Sequence, residues 1–205
     1  PSSSAPARPT AGATRYPELV ELYERAVDRA ADPETKVTYL YKIGRLYEDA
    51  LGSPEQALVA YRRILEIAPH EMGALHAVQR SAEQAGLHQE LIAALELEAE
   101  HTQDRRRKLE LLHRAGEVAE TEVHDVALAV TLWKRLVAIA KAYAPGSSSL
   151  GRLYYKAGRW DELLETYKSE LRLLGSKGSG LAALLYKMGR VYEDQLARDD
   201  DAIQW

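Results

Sequence analysis

Six histidines stand at positions 70, 76, 88, 101, 113 and 124, and no two are closer than six residues. A helical zinc site needs two imidazoles four residues apart on one face, so this spacing supplies no metal pair. The run Gly146-Ser147-Ser148-Ser149-Leu150-Gly151 misses the G-x-S-x-G spacing of a nucleophile elbow, and no strand pattern precedes it. Gly175-Ser176-Lys177-Gly178-Ser179-Gly180 lacks the order of a phosphate loop, in which Lys and a hydroxyl follow the second Gly directly. The neighbouring carboxylates Glu48-Asp49 and Glu193-Asp194 point about 100° apart on a helix and cannot flank one bond. Cysteine is absent, which removes thiol catalysis and disulfides. Neither enzymatic activity nor a metal or cofactor is expected.

Charge points the same way. Against 27 Lys and Arg stand 31 Asp and Glu, for a formal net charge of -4, far from the basic excess of a phosphate-tracking protein. The run Arg105-Arg106-Arg107-Lys108 lies among Asp104, Glu110 and Glu117 without aromatic neighbours, so it reads as a solvated helix start. No apolar run of about 18 residues occurs, so membrane insertion is not expected. The expected compartment is the cytoplasm, with the periplasm left open. Richness in Ala, Arg, Leu and Glu with no Asn, Cys or Phe resembles a chain from a GC-rich bacterium.

The strongest signal is self-similarity. Leu40-Tyr41-Lys42-Ile43-Gly44-Arg45-Leu46-Tyr47-Glu48-Asp49 recurs far down the chain as Leu185-Tyr186-Lys187-Met188-Gly189-Arg190-Val191-Tyr192-Glu193-Asp194. A weaker copy, Ala115-Gly116-Glu117-Val118-Ala119, lies midway between them. Val78-Gln79-Arg80-Ser81-Ala82 and Leu150-Gly151-Arg152-Leu153-Tyr154 subdivide the two intervals, with Gln79 as far past Gly44 as Gly151 is past Gly116. The elementary period is therefore that of a helical repeat of about 35 to 38 residues, doubled into a long period of about 72 residues. Two flavours alternate, one with a longer turn at Leu51-Gly52-Ser53-Pro54 and one with a tight Ala-Gly at 85–86 and 157–158.

Apolar residues recur at spacings of three and four, as in Leu58, Tyr61, Ile64 and Leu65, the stripe of an amphipathic helix. Pro54 and Pro145 suit first helical turns, and Gly86 and Gly158 suit left-handed helix ends. Helices are expected near 16–31, 34–51, 54–68, 70–85, 87–102, 104–121, 125–141, 145–157, 159–174 and 180–197, with no strand. The four small residues 146–149 cost helix propensity of about 2 kcal/mol against Ala, so that helix is expected to fray at its start.

These residues resemble the tetratricopeptide repeat family. Leu40, Ile43-Gly44, Tyr47, Ala57-x3-Tyr61 and Pro69 follow its signature of Trp-x2-Leu-Gly-x2-Tyr, Ala-x3-Phe and Pro, with one residue inserted between the halves. Ala115-Gly116, Ala119 and Ala129-x3-Trp133 follow it less fully, as do Leu150-Gly151, Tyr154 and Leu163-x3-Tyr167. The repeat around Gln79 lacks the Gly. The resemblance implies an all-α, right-handed superhelical solenoid of about ten helices in antiparallel pairs. Residues 1–14 read as a disordered linker and 15–205 as the array: a half repeat 15–33, repeats near 34–69, 70–103, 104–141 and 142–176, and an incomplete repeat 177–205. Both ends are expected to be cut from a longer chain.

In the family the first helix of each repeat lines a concave groove, with residues either side of the small position facing inward. Carried over, that wall holds Tyr41, Arg45 and Glu48; His76, Arg80 and Glu83; His113, Glu117 and Glu120; Ser148, Arg152 and Tyr155; and Tyr186, Arg190 and Glu193. Arg presents a planar fork for carboxylates, and Tyr and His present flat stacking faces. The expected partner-binding set is therefore Tyr41, Arg45, His76, Arg80, His113, Arg152, Tyr155, Tyr186 and Arg190. Arg45 and Arg190 have an Asp four residues on, whereas Arg80 and Arg152 have no such local acid and are expected to be the freest. The family's clamp for acidic chaperone tails relies on Asn, which this chain lacks.

The expected function is a non-catalytic scaffold that holds an acidic or mixed protein or peptide in the groove. The alternatives are an assembly module, with self-association through an uncapped C-terminal end, and a regulatory repeat region of a longer multidomain protein.

Overall fold

Acids, prolines and glycines punctuate the chain into ten α-helices among the described residues, which in the computed structural model are 15–174 and 180–196. They are α1 (Arg15–Arg29), α2 (Pro33–Arg45), α3 (Pro54–Ile67), α4 (Met72–Gln84), α5 (His88–His101), α6 (Arg105–Thr121), α7 (Val126–Ile139), α8 (Ala144–Lys156), α9 (Trp160–Leu174) and α10 (Leu181–Leu196). Asp32, Asp104 and Asp125 cap α2, α6 and α7 by accepting backbone N–H bonds of 2.7, 2.8 and 3.0 Å. The residues expected to form the linker, and those expected to begin a new helix near the C-terminus, lie outside the described residues.

Two compact units divide between Gln103 and Asp104. In the first, α1 to α5 pack in sequence order around Leu40, Ile43, Tyr61, Ile64, Leu75, Leu91 and Leu95, all essentially solvent-free. In the second, α6 to α10 do the same around Leu112, Trp133, Leu136, Tyr154, Leu163 and Met188. Within a unit each helix contacts its neighbours in the chain, as short connections between antiparallel helices require.

The small positions permit the closest approach. A Cβ on Gly44 would overlap the Tyr61 ring, and one on Gly116 would lie 2.8 Å from Trp133. Tyr61 and Trp133 are one long period apart, so the same aromatic plug closes the equivalent hairpin of each unit. Gln79 replaces Gly in α4 because its buried amide donates to the buried carboxylate of Glu98 on α5, at 2.7 Å. Here a polar pair occupies the seam that an aromatic fills elsewhere.

The alternating turns also have a structural basis. Between α2 and α3 the chain passes through a π-helical turn, Leu46–Ala50, followed by Gly52 at φ 59°. Between α6 and α7 the equivalent left-handed position is His124, at φ 58°. Its ring nitrogen lies 3.1 Å from the carbonyl of Glu120. The tight turns end on Gly86 and Gly158, at φ 67° and 64°. In α8 the small residues find a use: Gly146, Ser147 and Ser149 are buried, and a Cβ on Gly146 would meet Val137 at 2.9 Å. The helix runs from Ala144, its poor propensity offset by close packing on α7.

Candidate functional site on the first helices of the repeats

The wall residues expected from the sequence lie on α2 and its π-helical continuation, α4, α6, α8 and α10, the first helices of their hairpins. In the first unit the π turn between α2 and α3 carries Glu48 toward α4. Its carboxylate, 9% exposed, accepts from Arg80 Nε and Nη2 at 3.1 and 2.9 Å, from Ser81 Oγ at 2.8 Å and from Tyr61 Oη at 2.8 Å. Burial opposes ionisation of this carboxyl, but the bonds from Arg80, Tyr61 and Ser81 outweigh it and hold its pKa below the usual carboxylate value. Burial, and then Glu48, push the Tyr61 phenol up.

The second unit repeats the pair one long period on. Arg152 gives Nε and Nη2 to Glu120 at 3.0 and 2.9 Å, and Nη2 also reaches Ser149 Oγ at 3.3 Å. Glu120 lacks the other two donors because Ser81 and Tyr61 are replaced at the equivalent positions by Leu153 and Trp133. The Trp133 indole nitrogen is buried without a partner. Arg80 and Arg152 are thus the arginines held by carboxylates of the preceding hairpin, with bidentate geometry. This corrects the expectation that they are free. An acid four positions along the same helix is visible in the sequence, whereas these acids lie on a different helix, at a Glu–Arg separation of 32 in both units.

Arg190 does pair with Asp194, as expected. Arg45 has no ion pair among the described residues, because the π turn starts at Leu46 and rotates Asp49 off its stripe. Tyr41 donates to Glu71, the N-cap of α4, at 3.2 Å and faces the Tyr61 ring at 6.1 Å. Burial and the Glu71 carboxylate push the Tyr41 phenol up to about 12. His113 is its counterpart in the second unit, with changed chemistry: Nδ1 is 3.3 Å from the hydroxyl of Tyr143, the N-cap residue of α8, and its ring packs on Trp133 at 5.1 Å. Nε2 of His113 also reaches Glu117 at 3.2 Å. His76 is half-exposed, 3.6 Å from Glu98. Tyr155 and Tyr186 are 57% and 67% exposed, and Tyr155 meets Trp160 edge-on at 5.4 Å.

The basic run at the start of α6 is also occupied. Arg105 donates to the Ile139 carbonyl at the end of α7, at 2.7 Å, and Arg106 pairs with Glu110 at 3.2 Å. Among the described residues no group of three or more His, Cys, Asp or Glu is placed to hold a metal ion, and no helix is long and apolar enough to cross a membrane.

Tetratricopeptide repeat profiles match residues 38–70, which cover the later part of α2 and all of α3, and residues 147–179, which cover most of α8 and all of α9. Residues 38–70 and 147–179 are tetratricopeptide repeats. The repeat is thus a pair of helices, the first carrying the small residue and the second the aromatic plug. Solved structures similar to this repeat protein include MamA, at 21% identity over 79% of this chain and 89% of that one, with a TM-score of 0.44. YrrB, a tetratricopeptide repeat protein with an unusual peptide-binding site, matches at 16% identity over 90% and 89%, with a TM-score of 0.44. PilF of Pseudomonas aeruginosa matches at 14% identity over 93% and 88%, with a TM-score of 0.42. A search of curated proteins finds no match.

Proposed function

We propose that this repeat protein is a non-catalytic scaffold that binds a protein or peptide partner on the first-helix faces of the hairpins within each of its units. The carrying observation is the exposure on that face of Tyr155 and Tyr186, at 57% and 67% the widest-open tyrosine rings among the described residues. Arg45, exposed and without an ion pair among the described residues, adds a fork for a carboxylate. His76 and Arg190 are also exposed on first helices. Tyr and Arg are the residues that dominate binding energy at interfaces, because they bring area and directed hydrogen bonds at low entropy loss.

In this reading the binding residues shift from the paired arginines to Arg45 and His76 in the first unit and Tyr155 and Tyr186 in the second, with Arg80, Arg152, Tyr41 and His113 holding adjacent hairpins in register within their units. The partner is acidic or mixed in character. The test is affinity capture from the source organism with the wild-type chain and with a Tyr155→Ala, Tyr186→Ala variant of unchanged helicity. The variant is expected to lose a protein that the wild type enriches. Identical captured sets would overturn the reading.

A further inference from the structure

The two units differ on the second-helix side, where the second carries a cleft. In the first unit Arg62 of α3 and Glu90 of α5 pair at 3.0 Å across α4, with Leu75 fully buried beneath. One long period on, their counterparts in the second unit are Lys134, Glu162 and Ser147, and Leu97 becomes Ser169. Glu162 is taken instead by Arg159, three residues before it in the chain, and Lys134 lies over the Tyr154 ring at 5.8 Å. The closing bridge is therefore undone and two leucine side chains are replaced by hydroxymethyl groups. What remains is a cleft of about 720 Å³ between α7 and α9, the size of a peptide or ligand site.

The lining sets the chemistry. Val137, Leu150, Tyr154 and half-exposed Leu173 supply apolar surface. Lys134 and Lys141 form no ion pair among the described residues, and Arg172 reaches only Glu165, at 3.9 Å, which Lys168 already holds at 3.0 Å. Of the lining carboxylates, Asp161 alone has no cationic partner among the described residues. Three cations and three carboxylates line the cleft, but Glu162 and Glu165 are engaged by Arg159 and Lys168 from outside the lining, which leaves the two lysines against Asp161 alone as the unsatisfied charges around an apolar floor.

We infer that this cleft is a second docking site, which takes a peptide segment of a partner protein carrying a large apolar side chain flanked by carboxylates. The apolar side chain lies over Ser147 and Ser169, which stand where the first unit has Leu75 and Leu97, and the carboxylates meet Lys134 and Lys141. The site uses the second helices of its repeats and is independent of the first-helix reading above.

Fluorescence anisotropy with a labelled peptide of sequence Glu-Glu-Leu-Trp-Leu-Glu-Glu, and with the same peptide carrying Lys for Glu, tests it on the full chain. The acidic probe is expected to bind below about 1 mM and at least about tenfold more tightly than the basic one. Ser147→Leu with Ser169→Leu, which restores the leucines of the first unit, is expected to weaken binding at least about tenfold. Lys134→Glu with Lys141→Glu, both exposed and free of ion pairs among the described residues, is expected to do the same without touching the core. Amide shifts of the labelled protein are expected on α7 and α9. Absence of binding at about 1 mM, equal binding of the two probes, binding that survives both double variants, or shifts confined to α8 and α10 would each overturn the inference. The Tyr155→Ala, Tyr186→Ala variant leaves this binding intact, so the two readings fail separately.

Discussion

Glu48 and Glu120 are interchangeable by sequence position, each at the same separation from its arginine, yet the structure makes them unequal. Replacing Glu48 with Ala strands three donors. The Tyr61 hydroxyl and Ser81 hydroxyl sit on residues 1% and 0% exposed, and losing the acceptor for a buried donor costs about 1 kcal/mol or more each. Arg80 is half-exposed and regains water, so its loss counts for about 0.5 to 1 kcal/mol. Together Glu48→Ala is expected to destabilise by about 3 kcal/mol, which for an unfolding slope of about 2 kcal/mol/M lowers the urea midpoint by about 1.5 M. Glu120→Ala removes only the half-exposed Arg152 pair and is expected to lose about 0.5 to 1 kcal/mol. Urea titrations followed by circular dichroism, with hydrogen exchange to assign each loss to its unit, measure both. Equal losses for the two variants would refute the reasoning, because they would mean that the π turn and the hydroxyl donors add nothing to the shared salt bridge.

Three further outcomes follow from the same contacts. Because its folded-state pKa is depressed, Glu48 contributes stability that is fully present above its ordinary value of 4.5 and is lost as pH falls through the folded value; Glu48→Gln should show a smaller acid-induced drop in urea midpoint than the wild type. Gly44→Ala forces a methyl into Tyr61 and should cost about 1 to 3 kcal/mol, with Gly116→Ala milder because Trp133 stands farther off; a neutral Gly44→Ala in thermal melts contradicts the close-approach account. His124→Gly relieves a left-handed residue that carries a side chain and should stabilise by about 0.5 to 1 kcal/mol, read as a raised melting temperature; a lower one would mean that the ring bond to the Glu120 carbonyl outweighs the strain.

Much of this protein was legible in its sequence, because helical repeats are written in local terms. The spacing of Gly44, Gly116 and Gly151 and of Tyr61, Trp133 and Tyr167 marks which side chains meet across a hairpin, and helix ends follow from Asp32, Pro54, Gly86 and Gly158 within a few residues of where they fall. The family signature and the doubling of the repeat rest on the same one-dimensional periodicity. What periodicity could not supply is the pairing between hairpins. Whether Arg80 is free depends on Glu48 reaching it from another helix, and Glu120 reaches Arg152 in the same way, a contact between hairpins that no spacing within one helix reveals. The fate of Gly146 and Ser147 likewise turns on the shape of α7: propensity alone marks them as weak, while tertiary packing makes them the residues that fit. The cleft between α7 and α9 lies where serines stand at positions that carry leucines one long period earlier, and only three-dimensional packing determines whether such volume is refilled or left open.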